Sequence, residues 1–240
     1  MSWRWEVAEA DHAIQNPLSP EKVRLVGDHL RLGPGSRVLD VGCGKGGPAL
    51  LLAREFGCRV LGVELREAFA DEARRRAREE GLEELVEVRT ADAANLPLQP
   101  EEWDAALCLG ATFVWGTIAD AAAALAPAVR RGGGVAVGEP FWRAWPLPAD
   151  VDAEGYAPLA GTVERFTSAG LALTGLVASS EDDWDRYESL HWRAVEEWLA
   201  ANPDGDGADA FRAQHDRFRR EYLATRRAFL GWAVFVGRRV

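Results

Sequence analysis

Residues 38–46 read Val-Leu-Asp-Val-Gly-Cys-Gly-Lys-Gly, a β-branched run that breaks into a glycine-rich turn. Farther on, Val60-Leu61-Gly62-Val63 ends on Glu64, with Leu65 next to it, and a third acid, Asp92, follows the run Val86–Thr90. This pattern describes a nucleotide site. A strand delivers the chain to a turn where glycine lets backbone approach a ligand, and a second strand sets a carboxylate against a ribose diol. Gly42-x-Gly44-x-x-Gly47 also satisfies dinucleotide spacing, so an NAD(P)-dependent oxidoreductase stays open on the glycines alone. Asp40 argues the other way. A carboxylate at the rim opposes a pyrophosphate, which prefers bare N–H groups and a helix N-terminus, and suits a cofactor carrying an ammonium and a sulfonium. Asp92 stands where an acceptor could take an adenine amine, although both acids could instead serve their own turns.

These residues need an alternating framework, and the sequence supplies one. Strands are expected at Arg37–Val41, Arg59–Val63, Val86–Thr90, Asp104–Leu109 and Val135–Val137. Helices are expected from Pro20, over Pro48–Phe56 with Gly57 as C-cap, over Glu67–Glu80 and over Ile118–Arg131. Near-continuous apolar strands alternating with helices predict a parallel sheet covered on both faces. Beyond residue 140, Phe141–Pro148 reads as an aromatic-rich loop. A helix over Leu159–Ala169 and a run at Leu171–Val177 follow, then amphipathic helices over Asp182–Ala200 and Ala208–Ala228, and a final strand at Trp232–Val236.

The 240 residues suit one large α/β domain. Its expected parts are an N-terminal helical lid (1–35), a cofactor-binding core (36–180), a helical insertion (181–229) and the last strand (230–240). No apolar run is long enough to span a bilayer and the N-terminus lacks a signal-peptide core, which predicts a soluble, cytoplasmic protein. A formal net charge of −10 argues against a nucleic-acid partner. Cys43, Cys58 and Cys108 stand singly, so neither a disulfide nor a metal site is expected.

The ordered motifs resemble the class I S-adenosylmethionine-dependent methyltransferases, small-molecule type, from about Leu32 to Val137. Asp11–Ser19 also resembles a bacterial branch of that group. The resemblance implies a Rossmann-like, seven-stranded, mostly parallel sheet with an antiparallel last strand. It implies that Asp40, Gly42, Cys43, Gly44 and Gly46 hold the methionine portion of the cofactor and that Glu64, beside Leu65, holds the ribose. It sets Asp92 and Ala93 at the adenine, with Leu109 and Gly110 near the methionine end. Cys108–Phe113 lacks the Asn/Asp-Pro-Pro-aromatic segment of enzymes that methylate nucleic-acid bases.

Methyl transfer from a sulfonium is an in-line displacement with a good leaving group, and a base is needed only where the nucleophile holds its proton tightly. The candidates are His12, Glu139 and His191, each of which also has a purely structural reading. Trp115, Phe141, Trp142 and Trp145 fall on or beside predicted loops at the carboxyl edge of the sheet, and these with Tyr187 are the expected acceptor pocket. The stripe Trp184, Tyr187, His191, Val195, Trp198 has the spacing of a core-facing helix. The expected function is methyl transfer to a small molecule, yielding S-adenosylhomocysteine. A protein that binds the cofactor without catalysis is the remaining alternative.

Overall fold

A computed structural model describes residues 2–149, 151–153 and 155–240. Helices α1 (Ser2–Ala8) and α2 (Pro20–His29) precede strand β1 (Arg37–Val41). There follow α3 (Gly47–Phe56), β2 (Arg59–Glu64), α4 (Glu67–Glu79), β3 (Val86–Thr90), β4 (Trp103–Leu109), α5 (Ile118–Leu125) and β5 (Val129–Trp142). Then come α6 (Leu159–Thr167), β6 (Leu171–Ala178), α7 (Glu181–Ala201) and α8 (Ala208–Glu221). A π-helical turn at Tyr222–Arg226 and a last helical turn, α9 (Arg227–Phe229), lead into β7 (Leu230–Arg239).

The seven strands run in the order β3-β2-β1-β4-β5-β7-β6. Strands β1 to β5 are parallel, while β7 lies antiparallel to both neighbours. Strand order reverses between β1 and β4, which makes the crevice beyond their carboxyl ends the place where such a sheet binds ligands. Alternate residues feed two cores. Val38, Leu107, Ala136 and Val234 pack under α2 and α3, and Leu39, Cys108, Val137 and Phe235 pack with α5 and α6. A smaller cluster joins Val195, Leu199, Ala208 and Phe211 with Trp3 and Val7 from α1.

Local signals account for most helix ends. Ser19 accepts from Lys22 N ahead of Pro20, Gly57 closes α3 in the left-handed region, and Ser180 and Asp183 form a reciprocal capping box for α7. Three expectations need correction. Strand β5 runs to Trp142 because β7 pairs with it from Gly134↔Arg238 to Trp142↔Leu230, so Phe141 and Trp142 belong to a strand and not to a loop. Pro140 is tolerated because β4 pairs only as far as Gly138, leaving β5 without that neighbour farther on. Helix α5 stops at Leu125, short of the predicted Arg131, since Pro127 follows and Val129 already pairs with Trp103. The sequence places Trp3 ahead of the first predicted element, yet it packs into the fold: its ring lies 4.8 Å from that of Trp198 and 5.2 Å from that of Phe211.

Candidate active site

The turn after β1 lies at the reversal of strand order. Gly42, Gly44 and Gly46 take φ values of 68°, 54° and 75°, the left-handed region that disfavours side chains. Space is also short, because a Cβ on Gly42 would meet the Ala111 Cβ at 2.4 Å, and one on Gly44 would meet Gln15 Oε1 at 2.0 Å. Glycine is thus required here for conformation and for clearance.

Two acids face this turn. Glu64, at the end of β2, accepts from Gly44 N at 3.0 Å and from Arg66 N at 2.8 Å, which fixes its carboxylate beside the glycines. Asp40 is buried, and its Oδ2 has no hydrogen-bond partner. Burial, with the charge of Glu64 added, raises its pKa to about 7. A cationic ligand group would offset that buried charge. Cys43 is buried beside these carboxylates, which keeps its thiol pKa well above the ordinary value and the group unreactive.

Asp40, Gly42, Cys43, Gly44, Glu64, Leu109 and Gly110 line one cleft of about 120 Å³. Gly46, Leu65, Asp92 and Ala93 are not on its wall. Gly46 caps α3, Leu65 is exposed, and Ala93 packs into the core. Asp92 accepts from Ala94 N at 3.0 Å and Asn95 Nδ2 at 2.7 Å, holding its own turn at the end of β3.

Residues 9–19 lie across the glycine turn as a strap. Lys45 Nζ donates to the carbonyls of Glu9 (2.6 Å) and Ala10 (2.9 Å), while Lys45 N donates to Gln15 Oε1 at 2.7 Å. Asn16 Nδ2 donates to the Leu109 carbonyl at 3.2 Å. Gln15 and Asn16 therefore complete the cleft, together with Trp5, Arg66, Phe69 and Phe113. No spacing rule reveals these residues, since their partners lie far away in the chain.

A second cavity, about 460 Å³, opens between the sheet edge and the helical layer. Trp5, Tyr156, Trp184, Tyr187, Trp192, Phe211, Phe218 and Trp232 supply its aromatic walls, and Glu188, His191, Gln214 and His215 are among its polar groups. Trp5, Gln15, Asn16 and Gly110 border both spaces. Of the expected acceptor residues, Tyr187 lies on this wall. The others do not, because the extended β5 turns Trp142 and Phe141 into opposite cores. Trp142 is 2% exposed with its indole N–H on the Ala153 carbonyl, and Phe141 packs over Gly231. Trp115 packs on the core beneath α5, and Trp145 is 57% exposed on the following loop.

The three candidate bases separate as well. Glu139 shares the β5 face of Val135 and Val137 and accepts from Thr112 Oγ1 at 2.5 Å, on the side of the sheet away from the cavity. Burial raises its pKa. His191 stands on the cavity wall with the His12 ring behind it, centroids 4.2 Å apart. Glu9 lies buried beneath them, accepting from Tyr187 Oη at 3.1 Å and contacting His191 Nε2 at 2.9 Å.

A glycine turn at the strand reversal, an acid closing β1, another closing β2 and an antiparallel β7 define a class I S-adenosylmethionine-dependent methyltransferase. Residues 38–133 match the sequence family described as "Methyltransferase domain". The chain is 35% identical to the uncharacterized protein YjhP of Escherichia coli over 95% of each chain. It is 34% identical to a SAM-dependent methyltransferase from Thiobacillus denitrificans crystallised with S-adenosyl-L-homocysteine, covering 98% of each chain at a TM-score of 0.91. A Geobacter sulfurreducens SAM-dependent methyltransferase, also crystallised with S-adenosyl-L-homocysteine, is 33% identical at a TM-score of 0.93, covering 100% of this chain and 99% of that one. The chain belongs to the class I S-adenosylmethionine-dependent methyltransferase family, and its cofactor is S-adenosylmethionine. The dinucleotide reading of the glycine spacing is set aside.

Proposed function

We propose that this methyltransferase passes the sulfonium methyl of S-adenosylmethionine to a small molecule with an apolar body, seated in the aromatic cavity. The observation that carries the reading is the border at Trp5, Gln15, Asn16 and Gly110, common to the cofactor cleft and the cavity. A methyl group leaving the cleft across that border enters a space walled by rings, where burial favours an apolar acceptor.

In this reading the glycines and Asp40 hold the methionine portion, and Glu64 the ribose hydroxyls. Asp92 reaches the adenine amine by giving up a bond within its turn, and the backbone at Leu109 and Gly110 meets the methionine end. Transfer then rests on alignment and on exclusion of water by the strap and the aromatic walls. Glu139 has no part in it, because it lies on the other face of the sheet. The net charge of −10 disfavours a nucleic-acid acceptor. Among the described residues no helix is long and apolar enough to cross a membrane.

Isotope-labelled S-adenosylmethionine, incubated with the enzyme and a chemically varied set of small molecules, nucleic acids and proteins, tests the proposal. Label should enter apolar small molecules. Label confined to nucleic acid or protein would refute it.

A further inference from the structure

Among the described residues, Glu9, His12 and His191 form a group whose ligating atoms, one from each side chain, lie within 4.8 Å of one another. Glu9 follows α1, His12 belongs to the strap, and His191 comes from α7. The glutamate and His12 are fully or almost fully buried. His12 Nε2 stands 2.9 Å from the Tyr187 carbonyl. A carbonyl oxygen only accepts, so Nε2 carries the ring proton, and Nδ1 of the neutral ring presents a bare lone pair.

That lone pair faces Glu9 Oε2 at 3.4 Å, and neither atom has a hydrogen-bond partner. Two buried acceptors confronting each other are unfavourable unless a positive centre lies between them. A shared proton would draw the atoms to about 2.7–3.2 Å. Bonds of about 2.0–2.1 Å to a tetrahedral metal would instead hold them roughly 3.3 Å apart. The His12–Glu9 separation fits the metal, whereas His191 Nε2 and Glu9 Oε1, 2.9 Å apart, stand at hydrogen-bond distance and would exchange that bond for the ion.

We propose that Glu9, His12 and His191 bind one divalent transition-metal ion with the ligand preference of Zn²⁺. Two imidazoles and a carboxylate are a three-ligand set that leaves a fourth position open. Because His191 lines the cavity, that position would face it and accept water or an acceptor heteroatom. The ion also staples the strap to α7. The strap carries Gln15 and Asn16 onto the glycine turn and Leu109, so metal binding should tighten the cofactor cleft. The metal test below reads binding rather than turnover, so it can fail without touching the proposed acceptor, and the reverse.

The full-length, tag-free protein is stripped with a chelator and titrated with Zn²⁺ against a chromophoric competitor, with bound metal counted by plasma mass spectrometry. Co²⁺ serves as the spectroscopic probe. One ion per chain and visible ligand-field bands of tetrahedral Co²⁺ are expected. His12→Ala and His191→Ala should each weaken binding at least about 100-fold, since even loss of an outer partner of a metal ligand costs 10- to 100-fold. Tyr187→Phe keeps the carbonyl that holds His12 and should still bind the ion. If either alanine variant misfolds, ¹⁵N spectra of the wild-type histidines decide, with His12 Nδ1 expected to shift on adding Zn²⁺. No stoichiometric binding, an unshifted Nδ1, or affinity unchanged in both histidine variants would overturn the proposal.

Discussion

The glycine-turn cleft and the aromatic cavity proposed for the acceptor share a border but are built by opposite means. The cleft is built around a backbone turn: Gly42 and Gly44 in the left-handed region, two strand ends and the acids Asp40 and Glu64, joined by strap residues and a few aromatic side chains. The cavity is made of side chains from α1, α7, α8 and β7, far apart in sequence. A methyl donor that is always the same molecule can be met by fixed backbone geometry. In the proposed reading, an acceptor that differs between enzymes is met by helical side chains, which can change without disturbing the sheet.

The largest expected effect separates core tryptophans from cavity aromatics. Trp142→Ala should destabilise the fold by about 3–5 kcal/mol, as removal of a fully buried large ring does. Thermal unfolding measures this, and a loss below about 1 kcal/mol would place Trp142 outside the core. Next is Gly44→Ala. Left-handed backbone disfavours alanine by roughly 1–2 kcal/mol, and displacing Gln15 from Lys45 N removes about 1 kcal/mol more. Calorimetric titration should show S-adenosylhomocysteine binding greatly weakened. Unchanged affinity would mean that the turn does not hold the cofactor.

Asp40→Asn sharpens the comparison within the cleft. At pH 8 it should weaken S-adenosylhomocysteine binding about 10- to 100-fold, the equivalent of about 1.5–3 kcal/mol for a hydrogen bond to a charged group. The pH dependence follows from the same residue. Its folded pKa of about 7 lies above the ordinary aspartate value of 3.8, so the folded state binds the extra proton between these values. Its contribution to apoprotein stability is therefore complete below pH 3.8 and is lost as pH rises through about 7. Cofactor binding, which favours the carboxylate, should run the other way and weaken as pH falls below 7. Asp40→Asn should flatten both profiles in unfolding and titration experiments, and a sloping profile in the variant would assign the effect to another group.

The smallest stability effect belongs to Phe218→Ala. This ring is 47% exposed on the cavity wall, so its loss should change stability by about 0.5 kcal/mol or less while raising KM for the acceptor and leaving KM for S-adenosylmethionine unchanged. Equal shifts in both KM values would merge the two regions that the comparison separates.

The contrast also explains what could be read from the sequence. Gly42, Gly44, Gly46, Asp40 and Glu64 were legible because a turn between strand ends is a local event with local signals. The antiparallel last strand came from the family resemblance. Strand β5 was under-read because its final residues are held by β7, near the other end of the chain. The aromatic pocket was misplaced for the same reason. Once β5 is extended, Phe141 and Trp142 become core, while Trp184, Tyr187 and His191 line a cavity from a stripe whose spacing looks like core packing. Gln15, Asn16 and Lys45 lay inside segments the sequence singled out, but their roles were not legible, because the hydrogen bonds that give them those roles span tens of residues.

A crystal structure with S-adenosylhomocysteine tests most directly the claim that cleft and cavity form one active site. The account predicts the homocysteine sulfur at the wall made by Trp5, Asn16 and Gly110, directed into the aromatic cavity, with Asp40 and Glu64 on the cofactor. A sulfur directed away from the cavity, or a cofactor bound without contact to the glycine turn, would contradict it.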